Sequence, residues 1–359
     1  MPEVVMYFPT DRSDVTETWV AEMLEASKTF PVAPIENVEL EHLGDGLGQL
    51  SSLILADIEL ADGESKQVVI KLHAPIPAMH DIAMKYGHYE SEVNFYNHLA
   101  DQISVRTPRI YLSAMDKEAQ RVALIMESFS DWHSPDQIKG ATTDEITIAT
   151  RELAKISAAY WNKPIQTQHQ WIRDMNSSVY DSLQPDYIAC TDIALDRMHD
   201  ALPASTERAA RRIGPAINEL KHRNGQGNQT LAHWDYRVEN LFYRNDEFAV
   251  IDWQLMMVTN PATDLAYLLA TNMDVELRRS MEDELIRAFL DGLENAGVTD
   301  YHRDDFEKDF RLALLTISGI AIIAGANFDE SNKRSAQLVR KITSRMFQAI
   351  EDWQALDVL

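Results

Sequence analysis

The period of the apolar positions changes near residue 130. Ahead of that point most apolar residues fall in short alternating or continuous runs, the pattern of strands. A helical stripe over 16–26 comes first. Strand patterns follow over 38–43, 50–60 and 66–73, the last built on Val68-Val69-Ile70. Ala61-Asp62-Gly63-Glu64 supplies turn chemistry between the second and the third. Residues 81–99 read as one helix, with Val93, Tyr96 and Leu99 at helical spacing and Phe95 widening the stripe. Two more strands are expected over 109–114, after Pro108, and over 122–127.

Beyond residue 130 helical periods dominate. Thr142-Thr143-Asp144-Glu145 has the form of a capping box and opens a helix to about residue 161. Further helices are expected over 180–197, 206–222, 275–296, 305–324 and 335–353. One hairpin interrupts them: Leu241-Phe242-Tyr243, a turn at Asn245-Asp246-Glu247, then Phe248-Ala249-Val250-Ile251. The expected class is α+β, with a small β-rich N-terminal part (residues 1–128) and a larger helical part (129–359).

Composition adds exclusions. The 359 residues are 45% hydrophobic and 25% charged, values of a folded chain with a core, which excludes disordered and coiled-coil readings. Lys+Arg 33 against Asp+Glu 57 leaves a net charge of −24, which repels phosphate backbones and anionic lipid. Neither nucleic acid nor a membrane surface is therefore an expected partner. The single cysteine, Cys190, permits no internal disulfide and no cysteine-based zinc site. The first six residues lack the basic and apolar regions of a secretory leader. The greasiest run, 312–326, contains Thr316, Ser318 and Gly319, falls short of a membrane span and reads as a buried core helix. A cytoplasmic protein is expected. The stretch 274–309, with 12 acids against 5 bases, reads as a solvated helix face.

The densest chemistry lies around the hairpin. His233-Trp234-Asp235-Tyr236-Arg237-Val238-Glu239-Asn240 precedes it, and Ile251-Asp252-Trp253 follows. Phosphoryl transfer needs a carboxylate to orient the attacking hydroxyl and accept its proton, and oxygen ligands for a Mg²⁺ bridging the phosphates. Asp235 and Asn240, five positions apart, supply a base and a metal ligand on one loop. The hairpin folds Asp252 back as a second ligand. The N-terminal part holds the complement in the required order. Gly44, Gly46 and Gly48 lie between two strands, Lys71 ends a buried strand, and Glu90 and Glu92 compete as the helix partner of Lys71. Glu92 is preferred because it directly precedes the apolar cluster Val93, Phe95 and Tyr96.

These residues resemble the aminoglycoside phosphotransferase and choline-kinase-like superfamily, and within it the ecdysteroid-kinase-like phosphotransferases. The resemblance rests on Val69-Ile70-Lys71, Glu92-Val93-Asn94-Phe95-Tyr96, Ala158-Ala159-Tyr160-Trp161, the His233–Asn240 loop, Ile251-Asp252-Trp253-Gln254, and Asp264-Leu265-Ala266-Tyr267-Leu268-Leu269. It implies a bilobal protein-kinase-like fold with ATP in the cleft and Mg²⁺ on Asn240 and Asp252. Asp235 would be the catalytic base, Lys71 the contact to the α- and β-phosphates, and Glu92 its support. The backbone of Met126-Glu127-Ser128 would meet adenine. Arg237 would lie near the γ-phosphate, a plain surface arginine being the alternative. His233 and Asp264 would support the loop.

Asp252 is followed by Trp253-Gln254 rather than Phe-Gly, and no Ala-Pro-Glu follows, which argues for a small-molecule kinase over a protein kinase. Ser157 stands where relatives often carry His. The expected reaction is ATP- and Mg²⁺-dependent phosphorylation of a small-molecule alcohol. A neutral or hydrophobic acceptor is preferred, and an aminoglycoside or choline-like cation is the alternative. The competing classes are a nucleotide-binding pseudokinase and a metal-dependent hydrolase. Trp161, His169, Trp171, Trp253 and Gln254 are candidates for the acceptor side. Oligomeric state is not legible.

Overall fold

Alternation in the N-terminal half folds into one five-stranded antiparallel sheet. Its strands, β1 (Ile35–His42), β2 (Ser51–Leu60), β3 (Ser65–His73), β4 (Ile110–Asp116) and β5 (Arg121–Glu127), lie in the order β1-β2-β3-β5-β4. The computed structural model describes residues 7–42 and 50–359, so Gly44, Gly46 and Gly48 lie outside the described residues. Two faces of the sheet are covered differently. Ile54, Ala56, Ile58, Val68, Ile70 and Leu72 point to one side, where Trp19, Val20, Met23 and Leu24 of α1 (Glu17–Ala26) bury them. Leu124 and Met126 share the other side with Ala83, Tyr89 and Val93. The period of two in a strand puts Lys71 on this second side.

The helix expected over 81–99 is two helices, α2 (Pro77–Tyr86) and α3 (His88–His98). Gly87 breaks it: at φ 68 its backbone sits in the left-handed region, and its N–H caps the carbonyls of Ala83 and Met84. Glycine occupies that conformation without a Cβ penalty, so the chain turns between the two helices there.

The strands and helices just described belong to one of two compact units, Met1–Asp101 with Thr107–Trp132. The other is Gln102–Arg106 with His133–Leu359. The short segment Gln102–Arg106 goes with the helical unit because Arg106 pairs with Glu247 at 2.7 Å and bridges Ala249. The helical unit contains α4 (Thr143–Ala159), α5 (Ile165–Gln168), α6 (Leu183–Arg197), α7 (Thr206–Ile213) and α8 (Ile217–Asn224). The strand β6 (Thr230–Ala232), the hairpin β7 (Leu241–Arg244) and β8 (Glu247–Val250), and β9 (Met257–Thr259) follow. The helices α9 (Thr263–Asn272), α10 (Val275–Asn295), α11 (Arg303–Asn327) and α12 (Lys333–Asp352) complete it. The capping box at Thr142 and Glu145 is present. The expected helix over 206–222 is split at Gly214-Pro215-Ala216, which forms a 3₁₀ turn because proline cannot donate to the preceding turn.

Sequence periodicity misses two features. The β6–β9 ladder pairs three residues with three across a long gap, Thr230 to Thr259 and Ala232 to Met257. All ten residues of α9 are buried, so it has no polar face from which a helical period could be read. α11 contains the greasy run. It is long and apolar enough to cross a membrane, yet 72% of its most apolar stretch is buried inside the unit, as a core helix requires.

Asp309 of α11 gives a stability prediction. Tyr301 Oη donates to its carboxylate at 2.9 Å, and burial pushes that carboxyl up to about 6. A folded-state value above the ordinary ~3.9 means the stability contribution is complete below about pH 4 and is lost as pH rises through about 6. Roughly two units would correspond to ~3 kcal/mol, reduced to about 1–2 kcal/mol by partial exposure. Asp309→Asn keeps an oxygen for Tyr301 and removes the charge. It is expected to match the wild type in melting temperature at pH 4 and exceed it at pH 7.5. A difference that does not change with pH would rule this effect out.

Candidate active site

β6 runs directly into the loop His233–Arg237, which closes through a 3₁₀ turn at Val238–Asn240 into the β7–β8 hairpin. The hairpin register Leu241–Val250 returns the chain to where it left, and Ile251 N donates to Asn240 O at 3.1 Å. Asp252 is thereby brought back to the loop from twelve positions beyond Asn240.

His233 is fully buried and works as a strut. Its Nδ1 accepts from Asp235 N at 3.2 Å, which leaves Nε2 as the protonated nitrogen that donates to Ile251 O at 2.9 Å. Burial lowers its pKa and keeps it neutral, against the opposing charge of Asp264. One imidazole thus ties the loop to the strand end carrying Asp252. Trp253 is buried and packs on this ring at 4.7 Å, so it belongs to the core.

The helix α9 holds the same loop at three points. Buried Asp264 accepts from His233 N at 2.6 Å and from Trp234 N at 2.9 Å. Tyr267 Oη donates to Asp235 Oδ1 at 3.3 Å. Asn272 Oδ1 accepts from Val238 N at 3.0 Å. The spacing i, i+3, i+8 keeps the three on one broad helix face.

Asp235 is the centre of this arrangement. Asn240 Nδ2 donates to its carbonyl at 2.9 Å and to Oδ2 at 3.0 Å, and Arg237 Nε lies 3.2 Å from Oδ2. Burial pushes its carboxyl pKa up, Arg237 opposes that, and the charge of Asp252 adds to it. Arg237 is half-buried and bridges Asp235 to Glu239, whose second oxygen takes Arg334 at 2.7 Å. The surface alternative for this arginine does not describe its position.

Two residues here adopt left-handed backbone, Trp234 at φ 67 and Asp252 at φ 68. Aspartate tolerates that region; a bulky residue such as Trp234 is strained by about 1–3 kcal/mol. The loop's hydrogen bonds to Asp264 hold the strain in place. No sequence pattern announces it.

The donor set can be tested against a divalent cation. With Asn240 Nδ2 committed to Asp235, its Oδ1 is the amide oxygen available for a metal, and Asp252 contributes a carboxylate steadied by Gln254 Nε2 at 3.3 Å. Among the described residues no cluster of three or more His, Cys, Asp or Glu side chains is placed to hold a metal. One carboxylate and one amide oxygen suit Mg²⁺, which keeps waters and takes phosphate oxygens for its remaining positions. The residues fit.

In the sheet unit, Lys71 and Glu92 form a buried pair, Nζ lying 2.9 Å from Oε1 and 2.7 Å from Oε2. Glu90 pairs instead with Lys117 at 2.5 Å. The pairing of β3 with β5 sets Lys71 opposite Leu124 and Val69 opposite Met126. Glu127 N donates to Arg109 O at 2.8 Å, and Ser128 donates through both N and Oγ to Gln67. Sequence reasoning missed Tyr267 as a partner of Asp235, although the run containing it had been singled out. It also missed Asn272.

A profile described as the ecdysteroid kinase-like family matches residues 50–297. No curated protein sequence matches the chain. Among solved structures, the ethanolamine kinase of Plasmodium vivax is similar at a TM-score of 0.54 and 11% identity, covering 88% of this chain and 83% of that one. A streptomycin–ATP ternary complex of an aminoglycoside phosphotransferase is similar at 0.50 and 16%, covering 92% and 99%. An amicoumacin kinase bound to AMP-PNP and Ca²⁺ is similar at 0.50 and 16%, covering 93% and 94%. At these identities the likeness shows the fold, a kinase-like one with a β-sheet N-lobe and a helical C-lobe.

Proposed function

The chain belongs to the ecdysteroid kinase-like family, and on that premise we propose that it transfers the γ-phosphoryl group of ATP, with Mg²⁺, to a hydroxyl of a small molecule. The observation that carries the proposal is the environment of Asp235. Its carboxylate is held on both oxygens by Asn240, Arg237 and Tyr267, within a loop pinned by Asp264 and His233. A carboxylate fixed this way orients a hydroxyl and takes its proton, and positioning is most of what phosphoryl transfer asks of a protein.

In this reading Asp235 is the catalytic base, and Asn240 and Asp252 hold the metal. Bound Mg²⁺ supplies charge neutralisation at the phosphates. Lys71 contacts the α- and β-phosphates with Glu92 holding its ammonium. The backbone of Met126, Glu127 and Ser128 meets the adenine. Arg237 balances the charge of Asp235 and lies toward the γ-phosphate.

We favour a neutral or hydrophobic alcohol as acceptor, supported by the family to which the chain belongs. A cationic acceptor is the second reading, supported by the net charge of −24. The test is Mg·ATP-dependent ADP release across sterols, simple alcohols, amino alcohols and aminoglycosides. Stimulation by a sterol or simple alcohol is expected. Stimulation by aminoglycosides or amino alcohols alone would reverse the acceptor preference, and calorimetry showing no Mg·ATP binding would overturn the function.

A further inference from the structure

We propose that Tyr267 is a positioning residue that makes Oδ1 of Asp235 the proton-accepting oxygen and fixes the direction from which the acceptor hydroxyl approaches. The inference rests on the phosphotransferase reading of the site.

A carboxylate offers about four lone-pair directions, two on each oxygen. Oδ2 accepts from Asn240 Nδ2 at 3.0 Å, and Arg237 Nε lies 3.2 Å from the same oxygen as an ion-pair contact outside hydrogen-bond geometry, crowding the space a second donor to Oδ2 would need. Tyr267 Oη, donating at 3.3 Å, takes one on Oδ1. The uncrowded direction is the second one on Oδ1, and a hydroxyl donating to Asp235 finds room there. Loss of the phenol leaves Oδ1 with two equivalent directions and lets the carboxylate turn about its Cβ–Cγ bond, which is soft for aspartate.

The placement of Tyr267 is suited to this task. Its side chain is buried on α9, one turn beyond Asp264, so the helix that grips the loop's backbone also presents the phenol to the base. Its main-chain carbonyl accepts from Thr271 Oγ1 at 2.8 Å, a bond that a side-chain change leaves intact. The phenolic pKa is raised by burial, with the charge of Asp235 adding to it, so the group remains a donor at neutral pH.

The acceptor oxygen forms a bond to the γ-phosphorus as its proton passes to Oδ1. The bond from that phosphorus to the β,γ-bridging oxygen breaks, and ADP leaves with the electron pair.

The test uses Tyr267→Phe in the full chain. The readouts are single-turnover hydrolysis of radiolabelled Mg·ATP with water as acceptor, calorimetric Mg·ATP affinity, melting temperature and a crystal structure. Turnover is expected to fall about 10- to 100-fold, the scale of a misplaced reacting group, with affinity and melting temperature unchanged and the Asp235 carboxylate rotated. Unchanged turnover overturns the proposal. So does a loss of turnover that is matched by lost affinity and stability, or that leaves the carboxylate in place. Wild-type protein that binds no Mg·ATP overturns the phosphotransferase reading, and this inference falls with it.

Discussion

Asp235→Asn is expected to lower phosphoryl-transfer turnover ~10²–10⁴-fold, the usual size of a lost general base, with the fold intact. The substitution keeps the shape and an oxygen for Asn240 or Tyr267, and it removes only the proton-accepting charge. Stability should hold or rise. Burial already disfavours the charge of Asp235, and Arg237 keeps Glu239 at 2.9 Å as a partner. Single-turnover kinetics alongside thermal melting check the result. Turnover near that of the wild type would remove Asp235 from the base role, and with it the reading of the loop.

The second large effect is expected at Asp252. Asn is the informative replacement, because it tolerates the left-handed backbone at φ 68 better than Ala and still offers an oxygen to Gln254. It removes one negative charge from a metal set whose other protein oxygen is neutral, that of Asn240. Mg²⁺-dependent nucleotide affinity should weaken roughly 100-fold, about 2.7 kcal/mol. Metal-free binding in chelator should change little. Calorimetry with and without Mg²⁺ separates the two. Equal losses in both conditions would mean that Asp252 shapes the site without serving the metal.

Much of this architecture is legible in residue order. The Val68-Val69-Ile70 run marks a buried strand ending at Lys71, and Glu92 stands out from Glu90 by the apolar cluster after it. The loop, the hairpin and Asp252 are local, and a hairpin of near-equal arms returns its end to its start whatever surrounds it. The contacts that position the base are not local. Tyr267 lies 32 positions from Asp235, and Asp264 lies 31 from the first backbone N–H it accepts. α9, which supplies both, hides its period because every side of it is buried.

Sequence alone determined the inventory of chemistry and the kind of most local elements, because turn residues, apolar period and short-range spacing act over one or two turns of chain. The acidic balance likewise needs no coordinates. Only the tertiary structure decided that Tyr267 meets Oδ1 of Asp235, and only it turned the preference for Glu92 over Glu90 into a contact with Lys71. Those outcomes depend on packing between distant segments. Burial turns a 3 Å contact into a fixed orientation there, because water cannot compete for the partners.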